Sequence, residues 1–306
     1  MRHAELLELG LRKFEIERLV RRGHLQHAHG RYVAGSLDRR IAVIACAQSA
    51  HPRSVISHFS AAELTGLRVW SDRDARPSAD VWLTCEPGPR RNLRRADVVL
   101  RRAGLTETDL DLRHGLWITS AARTTVDIAR ELPFREAVVT VDHALARSVS
   151  RSELDAVLAR QYQWPGVAKA RAVVAFADPR AESALESYAR ATFAERGLPS
   201  AILQAQFWDG DHWLTDRVDL WWPEFRTIGE ADGLEKFEAP TASERRWRLR
   251  RAFERDQRLA DRGLELVHFG WEDAVLRPDA LVQRFRAAFQ RGSRRTDPAP
   301  TWRTAA

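Results

Sequence analysis

The stretch RVDLWWPEFRTIGEADGLEKF, Arg217 to Phe237, carries most of what the sequence says about fold and chemistry. Two runs rich in β-branched and aromatic residues, Val218 to Trp222 and Phe225 to Glu230, flank Pro223-Glu224, which is the composition of a tight hairpin. With Pro223 and Glu224 as a two-residue turn, Trp222 faces Phe225 and Asp219 faces Ile228. Side chains alternate with period two, so Asp219, Glu230 and Asp232 then share one face while Val218, Leu220 and Trp222 point the other way. Asp219 and Glu230 become diagonal neighbours roughly 7–8 Å apart at the backbone, a separation at which two carboxylates can hold one hard divalent cation through oxygen.

Bare acids at that distance repel one another, so the hairpin calls for a compensating positive charge from a metal, a lysine or an arginine. Of the 49 basic residues only Lys13, Lys169 and Lys236 are lysine, and Lys236 lies four residues beyond Asp232. Lysine is a compact charge whose pKa responds to its surroundings, whereas arginine stays protonated, which makes Lys236 a candidate for a chemical role. The plainer alternative is a surface strand whose acids are solvated or paired with the abundant arginines.

At 306 residues the chain is long enough for two cores, and 44% hydrophobic with 30% charged residues is the balance of a globular protein. No run of about 18 apolar residues is present, so no membrane span is expected. The start, MRHAELLELG, lacks the apolar core of a secretory signal, and Cys46 and Cys85 are too few for a disulfide framework or a zinc site. A cytoplasmic location is expected. The net charge of +7 favours a polyanionic partner. Its distribution sharpens this: Arg251, Arg255, Arg258 and Arg262 recur at helical spacing opposite Leu249, Phe253 and Ala260, giving one packing face and one basic face that follows directly on the acidic hairpin. A solvated arginine stripe with intrahelical ion pairs is the competing reading.

Residues 1–35 read as a winged helix-turn-helix. Ala4 to Leu9 and Arg12 to Arg22 form two short helices, with Phe14, Leu19 and Val20 among the apolar positions and Arg18, Arg21 and Arg22 exposed for nucleic acid; the segment GHLQHAHGRYV makes a wing around His29-Gly30. His24, His27 and His29 belong to that wing rather than to a metal site. Residues 36–150 form an α+β region, with a helix over Ser54 to Leu67 closed by Gly66, strands over Val81 to Thr84 and Asp97 to Arg101, and helices over Thr119 to Glu131 and Phe134 to Ala146. Ser57, His58 and Ser60 invite a hydrolase reading, but no acid or glycine elbow sits in context. Residues 151–177 are expected to link the halves. Asp178-Pro179 then opens a helix in which Glu182 and Glu186 stand one turn apart, facing the hairpin. A strand over Gly263 to Trp271, a helix over Pro278 to Gln290 and a disordered basic tail, 291–306, complete an α/β domain at 178–290.

These segments carry two family resemblances. The helix ESALES (Glu182 to Ser187), the hairpin VDLWWPEFRTIGEADG (Val218 to Gly233), Lys236-Phe237 and ERDQRLADRGLELVHFGWED (Glu254 to Asp273) resemble the endonuclease-like domain grouped with the very-short-patch-repair endonucleases, members of the PD-(D/E)XK nuclease fold. LVRRGHLQHAHGRYVAG, VISHFSAAELTGL and TSAARTTVDIA resemble the AbiEi-type antitoxin and transcriptional regulator region, most strongly over the winged helix. The first resemblance implies a phosphodiesterase site in which Asp219 and Glu230 hold Mg²⁺ and Glu182 or Glu186 contributes, with Asp232 and Lys236 assisting. The family pattern places lysine two residues after the second acid, where this chain has Asp232, so Lys236 would have to reach back; His268 is the local candidate for the histidine such enzymes keep near the metal. The expected function is that of a double-stranded-DNA-binding protein with an Mg²⁺-dependent endonuclease-like domain. The rivals are a non-catalytic antitoxin or regulator with a cognate toxin as partner, and an interaction protein.

Overall fold

The computed structural model describes residues 1–70, 80–88, 93–95, 97–147, 149–208, 210–214, 217–232 and 241–304. The chain groups into two compact units, Met1–Pro133 with Arg147–Ala175, and Phe134–Ala146 with Phe176–Ala306. Among the described residues no helix is long and apolar enough to cross a membrane.

The first unit opens with helices α1 (His3–Glu8) and α2 (Lys13–Arg21) and a hairpin of β1 (Leu25–Ala28) and β2 (Arg31–Ala34). His29 and Gly30 turn that hairpin with φ of 47° and 67°, the doubly left-handed pair whose twist suits two antiparallel strands. Ile16 is buried at the centre of α2, whereas Phe14, assigned by sequence to the apolar side, is exposed. The Asp38 carboxylate accepts from the Arg40 and Ile41 amides and so starts α3 (Arg39–Ala50). There follow β3 (Ser54–Ile56), α4 (His58–Thr65), β4 (Val81–Cys85), β5 (Leu93–Arg95), β6 (Val98–Arg102), β7 (Leu110–Arg113), β8 (Leu116–Thr119) and α5 (Ala121–Glu131). The six strands form one mixed sheet in the order β5-β6-β4-β3-β8-β7, and Ile44, Ile56, Leu83 and Ile118 sit in its core.

The helix expected over Ser54 to Leu67 is shorter than the sequence implied. Ser54–Ile56 is extended and paired on both sides, to β4 and β8, because β-branched Val55 and Ile56 gain more from sheet burial than from a helix end. Gly66 closes α4 at φ 67°, as expected. Residues 134–146 of α6 (Phe134–Arg147) belong to the second unit, and α7 (Arg151–Arg160) and α8 (Val167–Phe176) occupy the segment 151–177 that was expected as a linker. Ser150 and Glu153 form a capping box, and Leu154, Val157 and Leu158 bury one stripe of α7.

The second unit contains α9 (Ala184–Glu195), β9 (Ile202–Phe207), β10 (Val218–Trp222), β11 (Thr227–Ala231), α10 (Ala242–Ala260), β12 (Glu265–Phe269), α11 (Pro278–Gly292) and β13 (Trp302–Thr304). Strands β9, β10 and β11 make an antiparallel meander, α10 crosses over, and β12 returns parallel to β11, for a sheet order β12-β11-β10-β9-β13. Ala205, Phe207, Trp221 and Ile228 pack with Leu259 of α10. Trp222 instead meets Phe193 of α9 and Phe285 and Phe289 of α11, with ring centroids 5.0 to 6.1 Å apart, so the hairpin is buried by helices on both sides.

The hairpin register departs from the two-residue turn. Trp222 pairs with Thr227, Trp221 with Ile228 and Leu220 with Gly229, so four residues make the loop: a 3₁₀ turn over Pro223–Phe225, then Arg226 at φ 45°. Proline is held near φ −65° and cannot take the positive φ that the tightest hairpin turns require at their first position. The register moves by two residues, which keeps the alternation of faces. Three further expectations change. Asp178-Pro179 forms a turn and α9 starts at Ala184 with Ser183 as its cap, since Ser183 and Glu186 supply the stronger start signal. On α10 Leu259 is buried, while Phe253 and Ala260, expected on the packing face, are exposed; the side chain of Leu249 lies outside the described residues. The tail expected to be disordered supplies edge strand β13, with Trp302 opposite Phe207.

Candidate functional site

The carboxylates singled out by sequence fall into two groups: Asp219 with Glu186 of α9, and Glu230 and Asp232 with His268 and helix α10. Beyond Leu220 and Gly229 the regular pairing stops, and there the Asp219 carboxylate accepts from the Ala231 amide at 2.8 Å. Glu186, at the first turn of α9, is 4% exposed; its Oε2 accepts from the Glu182 amide at 3.0 Å and from Gln204 Nε2 at 3.2 Å. Burial, and then the negative charge of Asp219, push its pKa up to about 7. Two acids thus crowd one another, one of them near half-ionised at neutral pH.

Glu230 is 2% exposed and grips the guanidinium of Arg255 on α10, with Nη2 to Oε1 at 2.5 Å and Nη1 to Oε2 at 3.3 Å. Arg255 therefore turns inward from the arginine stripe and also donates to the Arg217 carbonyl at 2.9 Å. Arg251 and Arg258 remain exposed on α10; Arg262 lies just past its end and donates to the Arg258 carbonyl. Glu182, outside the helix, pairs with Arg217 at 2.7 Å. Asp232 receives His268 Nδ1 at 2.7 Å, and Asp256 of α10 receives Nε2 at 3.0 Å. The Asp232 hydrogen bond is the largest cause raising the His268 pKa, with the Asp256 charge adding to it; with carboxylates on both ring nitrogens, both donate and the imidazolium is favoured. Lys236 lies outside the described residues.

Asp219 and Glu186 are oxygen donors of the kind a hard cation takes. Glu230 is committed to Arg255, and among the described residues no group of three or more His, Cys, Asp or Glu side chains is arranged to hold a metal ion. Arg18, Arg21 and Arg22 are exposed on and just after α2, as expected.

Two members of the site were not seen in the sequence. Gln204 sits on β9, a strand that the alternation did not reveal because Ile202–Phe207 is buried at most positions; Asp256 was hidden in an arginine-rich helix. In the first unit, Ser57 and His58 do approach, Oγ to Nδ1 at 2.9 Å, and Glu131 lies 4.0 Å from Nε2. Ser57 is fully buried, burial lowers the His58 pKa, and Thr84 also donates to the serine hydroxyl. A sealed serine has no route to a substrate, so this trio is a core polar network.

No family model matches the chain. Two uncharacterized proteins from two strains of Mycobacterium tuberculosis, MT2308 and Rv2248, are each 34% identical to it over 176 residues, which is 56% of this chain and 60% of theirs. The chain thus spans about 60% of the length of the curated relatives it matches.

Proposed function

We propose that the protein binds DNA and that its second unit is a Mg²⁺-dependent endonuclease-like domain that cleaves phosphodiester bonds. The observation that carries this reading is the Asp219–Glu186 pair, a buried carboxyl pushed up to about 7 beside a second acid at the end of the β10–β11 ladder. Perturbed acids cluster at functional sites, where a shifted pKa suits proton transfer or cation binding. Helix α9, meander β9–β11, helix α10 and parallel strand β12 form an α/β unit, the class expected from the resemblance to the PD-(D/E)XK fold.

The donor set fits a divalent cation in part. Asp219 and Glu186 supply oxygen donors whose mutual repulsion a cation relieves, and Glu230 would join them on release from Arg255. Bound there, Mg²⁺ would polarise the scissile phosphate and acidify an attacking water. The chain's own residues supply the rest: Asp232 and Asp256 hold His268 as a cation beside the acids, near the position where the family pattern has lysine, and exposed Arg251 and Arg258 meet the phosphate backbone. Incubation of the purified protein with supercoiled plasmid and Mg²⁺ tests this. Nicking that disappears in Asp219→Ala supports the reading; no nicking by the parent protein, or equal nicking by the variant, removes it.

The second reading is a non-catalytic antitoxin or transcriptional regulator with a cognate toxin, working in the cytoplasm. The closed Glu230–Arg255 pair favours it, since it occupies one of the two expected metal ligands. Its test is a promoter-fragment shift: if Arg18 and Arg21 touch phosphates, replacing both with Ala lowers the salt slope of binding by about 2, whereas an unchanged slope eliminates the α2 contacts.

A further inference from the structure

Strand β9 takes a left-handed step at one residue. Gln204 has φ 54°, in the region that side chains other than glycine seldom adopt. Among the described residues the other positive-φ side chains sit where the chain turns or a helix begins: His29, His114 and Arg226 in hairpin loops, Gln163 in a turn, His58 at the start of α4. Gln204 alone lies inside a strand.

A bulge does not account for this step. Leu203 pairs with Leu220 and Ala205 with Val218, so one residue separates the two pairs on each strand and Gln204 stands opposite Asp219. A bulge would place an extra residue on one side. Glycine would take this backbone without strain. Strained residues of this kind persist where surrounding contacts fix them, and they gather at working sites.

The step secures a contact. Gln204 is 5% exposed, and its Nε2 donates to Glu186 Oε2 at 3.2 Å. The Glu182 amide donates to the same oxygen at 3.0 Å, which marks Oε2 as an acceptor and sets the Gln204 amide with its nitrogen towards Glu186. Two donors thus engage both lone pairs of Oε2. A hard cation bound to Glu186 then has to come to Oε1. The neighbouring acid is held in the same manner, with Asp219 Oδ2 on the Ala231 amide.

We propose that Gln204 is a positioning residue of the candidate cation site: its left-handed backbone aims the amide at Glu186, so that Oε2 is held by the protein and Oε1 is the oxygen offered to a cation shared with Asp219. This role rests on the Mg²⁺ reading of the second unit and adds to it a residue that carries no charge and is not itself a ligand. Alanine at 204 removes the N–H and keeps the strain; glycine removes both.

Mn²⁺, a hard divalent ion that electron paramagnetic resonance counts directly, is titrated into the full chain, with Asp219→Ala setting the background from other surface sites. Gln204→Gly and Gln204→Ala are compared with the parent, and the Tm of each is read without metal. Gln204→Gly is expected to melt about 2–4 °C above Gln204→Ala, reversing the order usual inside a strand. Both variants should nevertheless bind Mn²⁺ at least about tenfold more weakly than the parent, as loss of a hydrogen bond to a charged group implies. A purely structural role predicts instead that the more stable glycine variant keeps the parent's affinity. Mn²⁺ uptake by the parent no greater than by Asp219→Ala removes the cation reading, and the role of Gln204 falls with it. Site-specific uptake by the parent that Gln204→Gly matches overturns the role of Gln204 alone, as does a Gln204→Ala variant that melts at or above Gln204→Gly.

Discussion

The Asp219 carboxylate stands in for a main-chain acceptor: it takes the Ala231 amide at 2.8 Å where the ladder between β10 and β11 ends. One side chain thus finishes a sheet and lies beside the raised carboxyl of Glu186. Asparagine keeps an oxygen for the amide and loses the charge, while alanine loses both. Asp219→Asn is therefore expected to retain folding stability within about 1 kcal/mol of the parent, since a neutral acceptor replaces a charged one, while plasmid nicking falls at least a hundredfold. Asp219→Ala should lose both. Urea denaturation beside the nicking assay separates the effects, and an active Asp219→Asn would show that the charge is not needed.

Gly229 is where the hairpin is tightest against its helix. A Cβ there would lie 3.0 Å from Phe285 Cζ, 3.2 Å from its Cε1 and 3.3 Å from Leu220 Cβ, and Phe285 is fully buried among Trp222, Phe193 and Phe289. The ring has no free direction in which to yield. Gly229→Ala is expected to destabilise the protein by about 1–3 kcal/mol through overpacking, and Phe285→Leu in the same background should recover part of that. Chemical denaturation of the single and double variants measures both; a neutral Gly229→Ala would mean that the helix shifts freely.

What the sequence revealed, and what it hid, follows from how each signal is written. Val218–Trp222 is buried on both faces, yet its β-branched and aromatic run beside Pro223 was enough to read it as a strand, as was Gly66 as a helix stop, whose role depends only on its own backbone. Ile202–Phe207 and Trp302–Thr304 went unseen: the first is buried at most positions and so lacks alternation, and the second is a three-residue edge whose partner is about 100 residues away. The acids of the hairpin were legible as a cluster. Their actual partners were not, because Arg255 and Asp256 reach the site from the inner side of a helix whose charge is nearly continuous along its length.

Both raised groups of the site set the same direction with pH. Glu186 has a higher pKa folded than unfolded, so its favourable contribution is complete below about 4.5 and is lost as pH rises through about 7. His268, held up first by Asp232, contributes fully below its ordinary value near 6.5 and loses that contribution as pH rises through its folded value. Both groups should make thermal stability fall between pH 5.5 and 8.5, whereas buried His58, whose pKa burial lowers, adds stability as pH rises towards 6.5. The Tm series, taken at roughly constant ionic strength, is therefore read as parent against variant. Glu186→Gln, which cannot ionise, should flatten the lower part of that fall, and His268→Gln the upper part. A variant whose Tm–pH slope matches the parent's over its part of the interval would contradict that residue's assignment.

Glu230 and Arg255 form the pair on which the two functional readings divide. The carboxylate is 2% exposed and both its oxygens meet the guanidinium, so Arg255→Met leaves a buried acid without its counter-ion, a change expected to cost about 3–5 kcal/mol, whereas pairing Arg255→Met with Glu230→Gln should restore much of that. Mg²⁺ then distinguishes the readings. If Glu230 exchanges Arg255 for the cation during function, Mg²⁺ should raise the Tm of Arg255→Met by several degrees and leave the double variant unmoved, because only the former offers the cation an unneutralised Glu230 carboxylate. If the pair is a permanent strut of a non-catalytic domain, Mg²⁺ should shift neither variant, and plasmid nicking should be absent from the parent protein as well.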